Sequence, residues 1–298
     1  MKTVLATIIS LLIASTALAE QKLPESYIAK DGVRMAHIPA GDYLMGSDHE
    51  MLADFSPKHK VYVSGFYIDE HAVTNKQFAA FLNAMFKTDE DSVRKDWLVL
   101  RTDLQTQERQ QWWPTEIGYE YGKYVAYEGF KNYPVITVSW DAAEKYCKWI
   151  GKRLPTEAEW EKAARGGLEQ KDYTWGNESP VKGIVYNKVW LTSSSPPPTG
   201  PVKSYLPNGY RVYDMAGIVW EWCSDWFHPD YYKNSPLENP RGPETGEEKV
   251  QRGGAWSNPA GSLYVAVRNF LPPLALDETT GFRCVMDEGA VMSERATK

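Results

Sequence analysis

The chain has 298 residues, 43% hydrophobic and 13% aromatic with 12 Trp and 18 Tyr, enough apolar mass for a sizeable core without dense disulfide stapling. Lys and Arg number 33 against 39 Asp and Glu, a formal charge of −6, and no basic block occurs, which argues against a phosphate-tracking surface and a nucleic-acid partner. Cys147, Cys223 and Cys284 make three cysteines with no zinc-type spacing, so one internal disulfide is possible and one thiol is left over.

The chain opens MKTVLATIISLLIASTALAE: one Lys, an apolar run, then Ala17-Leu18-Ala19 ahead of Glu20. The run is too short to span a bilayer and no stop-transfer pattern follows, so residues 1–19 read as a secretory signal peptide and not as a transmembrane anchor. No Cys stands at the cleavage point for a lipid anchor. The mature chain is expected to start near Glu20 in the periplasm or outside the cell, where disulfides persist. Residues 20–32 then form a short lead, 33–286 the folded domain and 287–298 a tail.

Gly and Pro punctuate most of the domain, which excludes long helices there and predicts many short strands. Three helices stand out. After Thr74, NKQFAAFLNAM sets Phe78, Phe81 and Leu82 on one face, with Thr74 and Gln77 as a capping box. In DAAEKYCKWIGK the inward set is Ala143, Tyr146, Cys147 and Ile150, with Ser139 as cap and Gly151 as stop. PTEAEWEKAARGG has a second capping box, Thr156 and Glu159, acids in its first turn and Arg165-Gly166 at its end. Each helix is expected to pack on one face only.

Residues 92–133 form a polar and aromatic insertion whose YEYGKYVAY run predicts a hairpin turning at Gly122-Lys123. Its aromatics read as cover for the core; the sharper alternative makes them the rim of a peptide-binding groove. A short SSSPPPTGP loop follows at 193–201.

The strings MAHIPAGDYLMGSD, FYIDEHAVTNKQFAAFL, YPVITVSWDAAEKYCKWIGKRLPTEAEWEKAARGG, YTWGN, PVKSYLPNGYRVYDMAGIVWEWCSDW, RGGAW and GFRCV occur in this order. Together they resemble the formylglycine-generating enzyme family, the sulfatase-modifying factors, from about residue 33 to 286. The resemblance implies a single compact α/β (α+β) domain of the C-type-lectin-like kind, with little regular secondary structure and bound calcium.

In the copper-dependent oxidases of that family, two cysteines just beyond the RGG turn hold Cu(I), which with O₂ converts a client cysteine to formylglycine; soft thiolates suit that ion. Where those cysteines belong, this chain has Ser257, Asn258, Pro259, Ala260, Gly261, Ser262 and Leu263, and the run from Arg252 to Arg268 is shorter. Copper is therefore not expected. Iron-dependent relatives use three His ligands, whereas His37, His49, His59, His71 and His228 show no ligand spacing and read as scattered surface residues.

The resemblance also implies a disulfide between Cys147 and Cys284. Cys223, in WEWCSDW, then remains as a small buried hydrophobe. YDMAGIVWEW is similar to a calcium loop of the family, with Asp214 and Glu221 carboxylates and the carbonyls of Gly217 and Val219 as ligands, a hard-oxygen set suited to calcium. Ile218 departs from the Asn usual there. A second calcium site would use Asn187 and the Lys188 carbonyl, but its later acid is lost in the Ser/Pro loop. Arg252, Arg268 and Arg283 read as structural, pairing with acids such as Asp225. The alternative groups Arg252 and Arg268 with Trp256, Ser257, Asn258 and Asn269 around the pocket left by the copper site; catalytic residues stay unassigned. The functional expectation is an exported protein acting in maturation of an exported peptide or protein by non-copper oxidative tailoring. Its rival is a non-catalytic peptide- or protein-binding accessory module.

Overall fold

The computed structural model describes residues 23–49, 55–86, 96–98, 100, 115–180 and 199–296. The proposed signal peptide, much of the insertion, most of the Ser/Pro loop, Asn187 and Lys188 lie outside the described residues.

Frequent Gly and Pro leave strands of two to seven residues: β1 (Ser26–Ile28), β2 (Arg34–Ile38), β3 (Gly41–Met45), β4 (His59–Val63), β5 (Phe66–Asp69), β6 (Ile117–Glu120), β7 (Lys123–Ala126), β8 (Trp220–Trp226), β9 (Lys249–Arg252), β10 (Arg268–Leu271), β11 (Thr280–Gly281) and β12 (Val285–Asp287). The helices among the described residues are α1 (Asn75–Met85), α2 (Trp140–Trp149), α3 (Glu157–Arg165) and α4 (Glu288–Ala296). One sheet runs β1-β2-β5-β12 and the other β10-β9-β8-β11, with β11 parallel to β8; β3-β4 and β6-β7 are separate hairpins. This is the mixed α/β architecture expected. The segments read as lead and tail are not featureless: β1 pairs with β2, and α4 buries Val291.

The helix starts follow the sequence closely. At α1, Gln77 N donates to Thr74 Oγ1 at 3.4 Å while Thr74 N donates to Gln77 Oε1 at 2.7 Å. Ala142 N donates to Ser139 Oγ at α2, and Thr156 with Glu159 closes a reciprocal box at α3. Each such cap contributes about 1 kcal/mol by satisfying donors the helix itself leaves unpaired. At the far end of α3, Gly166 adopts a left-handed φ of 58°, and a Cβ there would lie 2.9 Å from the Asn208 side chain. Asn208 needs that approach, since its Nδ2 donates to Ala163 O and Ala164 O.

One core cluster joins α1 and α2 through Phe78, Phe81, Leu82, Tyr146, Cys147, Phe282 and Cys284, with Phe78 and Tyr146 stacked at 5.8 Å. Trp97 of the insertion stacks on Phe81 at 5.7 Å and 6°, so this ring is core cover, whereas Tyr121 is exposed. Full burial of each such Phe is worth about 1.5–3 kcal/mol. Cys147 and Cys284 are joined, with Cα atoms 5.8 Å apart and 137 residues of separation, a loop whose closure in the unfolded chain corresponds to roughly 5 kcal/mol. Beside the disulfide, the buried Lys152 ammonium donates to Asp69 Oδ1 at 2.6 Å and Asp31 Oδ2 at 2.9 Å, and Asp69 Oδ2 accepts from Cys284 N.

Two expectations are corrected. The hairpin register pairs Glu120 with Lys123, so the turn is Tyr121-Gly122 and not Gly122-Lys123. Tyr121 and Gly122 have φ of 51° and 79°, the pair of positive values that matches strand twist in a two-residue turn. Second, α3 is not packed on one face: all nine of its residues are buried, including Glu157, Glu159, Glu161, Lys162 and Arg165. β3, β4, β8 and β9 surround it, and its charges find partners inside.

Candidate functional site

The RGG bend grows out of the register of β9 and β10. Arg252 lies directly opposite Arg268 in the antiparallel pair, which sends both side chains to the face covered by α3. Gly253 and Gly254 take φ of 105° and 70°; a Cβ on Gly254 would sit 2.6 Å from Ser262 O, so only Gly lets the loop fold back this closely.

Glu157 is the centre of what these arginines meet. Arg268 grips it with Nε to Oε1 at 2.7 Å and NH2 to Oε2 at 2.9 Å, and Arg252 NH1 donates to the same Oε1 at 2.7 Å. Tyr232 Oη also donates to Oε1, at 3.0 Å. Arg252 NH2 reaches Glu161 Oε2 at 2.5 Å, while Arg165 holds Glu161 Oε1 through Nε and NH2 at 3.0 and 2.6 Å. Burial opposes ionisation of Glu157 and Glu161, yet the guanidinium charges outweigh it and hold both carboxyls below their ordinary values. Asp225 pairs with none of the three expected arginines. Its Oδ2 accepts from Glu157 N and Ser224 Oγ, and burial together with the Glu157 charge pushes its pKa up to about 7. Arg283 instead pairs with Glu221, Nε to Oε2 at 2.7 Å and NH2 to Oε1 at 2.8 Å.

The six residues grouped as one pocket are divided between different tasks. Arg252 and Arg268 belong to the ionic knot. Asn258 closes its own turn, accepting from Ala255 N at 2.9 Å, and Ser257 is exposed. Asn269 Nδ2 donates to Gln251 Oε1 at 2.7 Å. Trp256 packs with Trp220, Ala255, Ala266 and Val267, and its indole nitrogen is buried without an acceptor among the described residues. The segment does border a cavity of about 300 Å³, but through Tyr264, Val265 and Ala266, facing His49, Lys58 and Lys171.

Cys223 is fully buried in the core around α3, and burial, reinforced by the Asp225 charge, pushes its thiol well above the ordinary value. Ile218, in place of the usual Asn, packs with Ala72, Ile136 and Val219, so it fills the core. In the loop read as a calcium site, Asp214 Oδ2 accepts from Lys203 N at 2.5 Å, whereas Oδ1 is buried with no donor among the described residues, and burial raises the group to about 6. Glu221 already accepts from Trp160 Nε1 and Arg283. Among the described residues no three His, Cys, Asp or Glu side chains converge as a ready metal cluster. The histidines are scattered but not all superficial: His71 is half-buried and lowered to about 4 by burial, His59 Nε2 is buried without a partner among the described residues, and His37 meets Glu288 at 2.7 Å.

A family model described as the sulfatase-modifying factor enzyme 1-like domain matches residues 20–288. This chain belongs to that family. It is 38% identical over 281 residues to the formylglycine-generating enzyme of Streptomyces coelicolor, covering 84% of this chain and 88% of the relative. It is also 31% identical to a mouse protein named inactive C-alpha-formylglycine-generating enzyme 2, covering 86% of each. Among solved structures, PvdO from Pseudomonas aeruginosa aligns with a TM-score of 0.66 and 25% identity, over 90% of this chain and 99% of that one. Within the family framework, the residues missed from sequence are Glu157 and Glu161. Their signal was an i, i+4 Glu pair followed by Arg165 in the TEAEWEKAAR string, which reads equally as a solvated helix face.

Two measurements check this site. Glu157→Gln leaves Arg252 and Arg268 short of their shared counter-charge and is expected to cost about 3–5 kcal/mol in urea unfolding. Asp225 keeps its proton in the fold up to about pH 7, while the unfolded group releases it near the ordinary carboxylate value of 3.8. Its contribution to stability therefore falls as pH rises across that window. Asp225→Asn is expected to raise the melting temperature at pH 7.5, with the difference from wild type closing toward pH 4.

Proposed function

We propose that this protein is an exported family member that recognises a peptide or protein client during its maturation, without Cu(I) chemistry. The observation that carries this reading is the state of the cysteines: of three, two form the Cys147–Cys284 disulfide and Cys223 is sealed in the core, so no thiol pair remains to hold a cuprous ion. The disulfide supports export, since it persists in oxidising compartments, and no described helix is long and apolar enough to cross a membrane. Client binding is favoured over oxidative tailoring because Arg252, Arg268, Asn258 and Asn269 are engaged by protein partners. The mouse relative whose name calls it inactive supports the same choice.

Calcium belongs to this proposal. The unpaired Asp214 Oδ1, with the Glu221 charge adding to its elevated pKa, suits an oxygen-seeking cation, which would neutralise a buried carboxylate. Glu221 fits less well as a ligand, because Arg283 and Trp160 already occupy its oxygens. Asp214 is therefore the residue on which calcium binding rests.

An anaerobic Cu(I) titration against a competing chelator is expected to show no tight stoichiometric site, and O₂ uptake with exported peptides no turnover. Tight copper binding lost in Cys223→Ala, or peptide-dependent O₂ consumption, overturns the reading. Added Ca²⁺ is expected to raise the melting temperature of wild type and not of Asp214→Ala; an equal shift in both removes calcium from this loop.

A further inference from the structure

We propose that a second cavity, of about 640 Å³ and lined by Trp175 and Tyr205, binds an aromatic side chain of a client peptide that carries a neighbouring carboxylate. This rests on the client-binding reading above. The cavity's lining includes no residue of the ionic knot or of the RGG turn itself, and the cavity is large enough to seat a ring with its flanking backbone.

The first argument is a ladder of rings. His49 and Tyr264 lie 5.8 Å apart, Tyr264 and Tyr173 4.8 Å, and Tyr173 and Trp175 4.8 Å with planes 5° apart. Tyr173 covers one face of Trp175, and Trp175 borders the cavity, so the ladder ends at the cavity wall. Another ring there extends a stacking series already in place, worth about 0.5–1.5 kcal/mol beyond the area it covers.

The platform is also fixed before any ligand arrives. Trp175 Nε1 donates to Glu178 O at 2.9 Å, and Tyr173 and Gly176 exchange backbone bonds at 2.9 and 3.2 Å. Val265 N ties the loop to the β9–β10 connection by donating to Asp172 O at 2.7 Å. Little side-chain entropy remains to be lost on binding. Elsewhere on the wall, Leu206 is 91% exposed and Leu168 37%, apolar surface that makes sense at the mouth of a site.

Charge selects the second half of the ligand. Lys171 lines both this cavity and the smaller one, is exposed, and has no ion-pair partner among the described residues. Among the described residues that line this cavity, Lys171 is the one Lys or Arg. Of the acids on the wall, Asp214 turns Oδ2 to Lys203 N with its other oxygen buried, and Glu178 sits on the Trp175 loop. A carboxylate next to the ligand ring therefore meets the ammonium at the Lys171 end.

The test uses the full mature chain and N-acetyl-L-tryptophan, with N-acetyl-L-tryptophanamide and N-acetyl-L-leucine as controls, in calorimetric or ligand-detected NMR titrations. The acid is expected to bind more tightly than the amide, and the amide more tightly than the leucine derivative. Trp175→Ala and, independently, Tyr205→Ala should weaken the acid about tenfold, while Lys171→Glu weakens the acid and leaves the amide unchanged. Unaltered binding in both folded aromatic variants, no preference over the leucine derivative, equal affinity for acid and amide, or no binding at millimolar concentration each overturns the site. An exported client captured equally by wild type and Trp175→Ala would remove this site and keep the client reading. Binding of N-acetyl-L-tryptophan without any client would do the reverse.

Discussion

The structure depends on a carboxylate that two arginines share. Glu157 sits at the first position of α3, where the helix dipole already favours negative charge, and takes Arg252 from the end of β9 and Arg268 from the start of β10. Without that charge inside, the register that places the two guanidiniums side by side would bury like charges together. With it, the RGG bend becomes a fixed object, clamped to a helix that is itself capped at both ends. Glu161 and Arg165 extend the same logic one turn further along α3. Buried ion pairs of this kind add little net stability compared with apolar packing, but an unpaired member is costly, so they make one arrangement of the bend much better than its alternatives.

That rigidity bears on function. The segment after RGG is a short turn closed by Asn258 and packed through Trp256, with a core on one side and an exposed serine on the other. The chemistry of the thiols follows the same division. One pair is consumed by a disulfide that joins α2 to the segment leading into β12, and the remaining cysteine lies beneath α3 in apolar surroundings with acids near enough to suppress its ionisation. Apart from these stand a ladder of rings ending at the half-buried Trp175 and two cavities that share Lys171 in their walls. Shape, rings and charge on a rigid framework are what the proposed recognition would require.

The sequence was most legible where local rules act alone. Thr74, Ser139 and Thr156 announced the helix starts, because a capping side chain satisfies donors only three residues away. The Cys147–Cys284 pairing came through the family resemblance, not through spacing. The hairpin slipped by one position, since Tyr121 tolerates the positive φ that the sequence pattern assigned elsewhere. The histidines were read as surface residues, and His71 shows why that is unsafe: partial burial hardly alters a pattern, yet it is enough to keep the ring neutral.

By itself, the sequence determined the fold family, the helix caps and the absence of a cysteine pair beyond the RGG turn, because these are matters of residue identity and near-neighbour spacing. Only the tertiary structure decided which acids the arginines hold. Asp225 and Glu157 are equally plausible partners in a linear chain, and the choice was made by the β9–β10 register and by α3 being enclosed on all sides, contacts between segments about a hundred residues apart in which burial, not proximity in sequence, sets the energy of a charge.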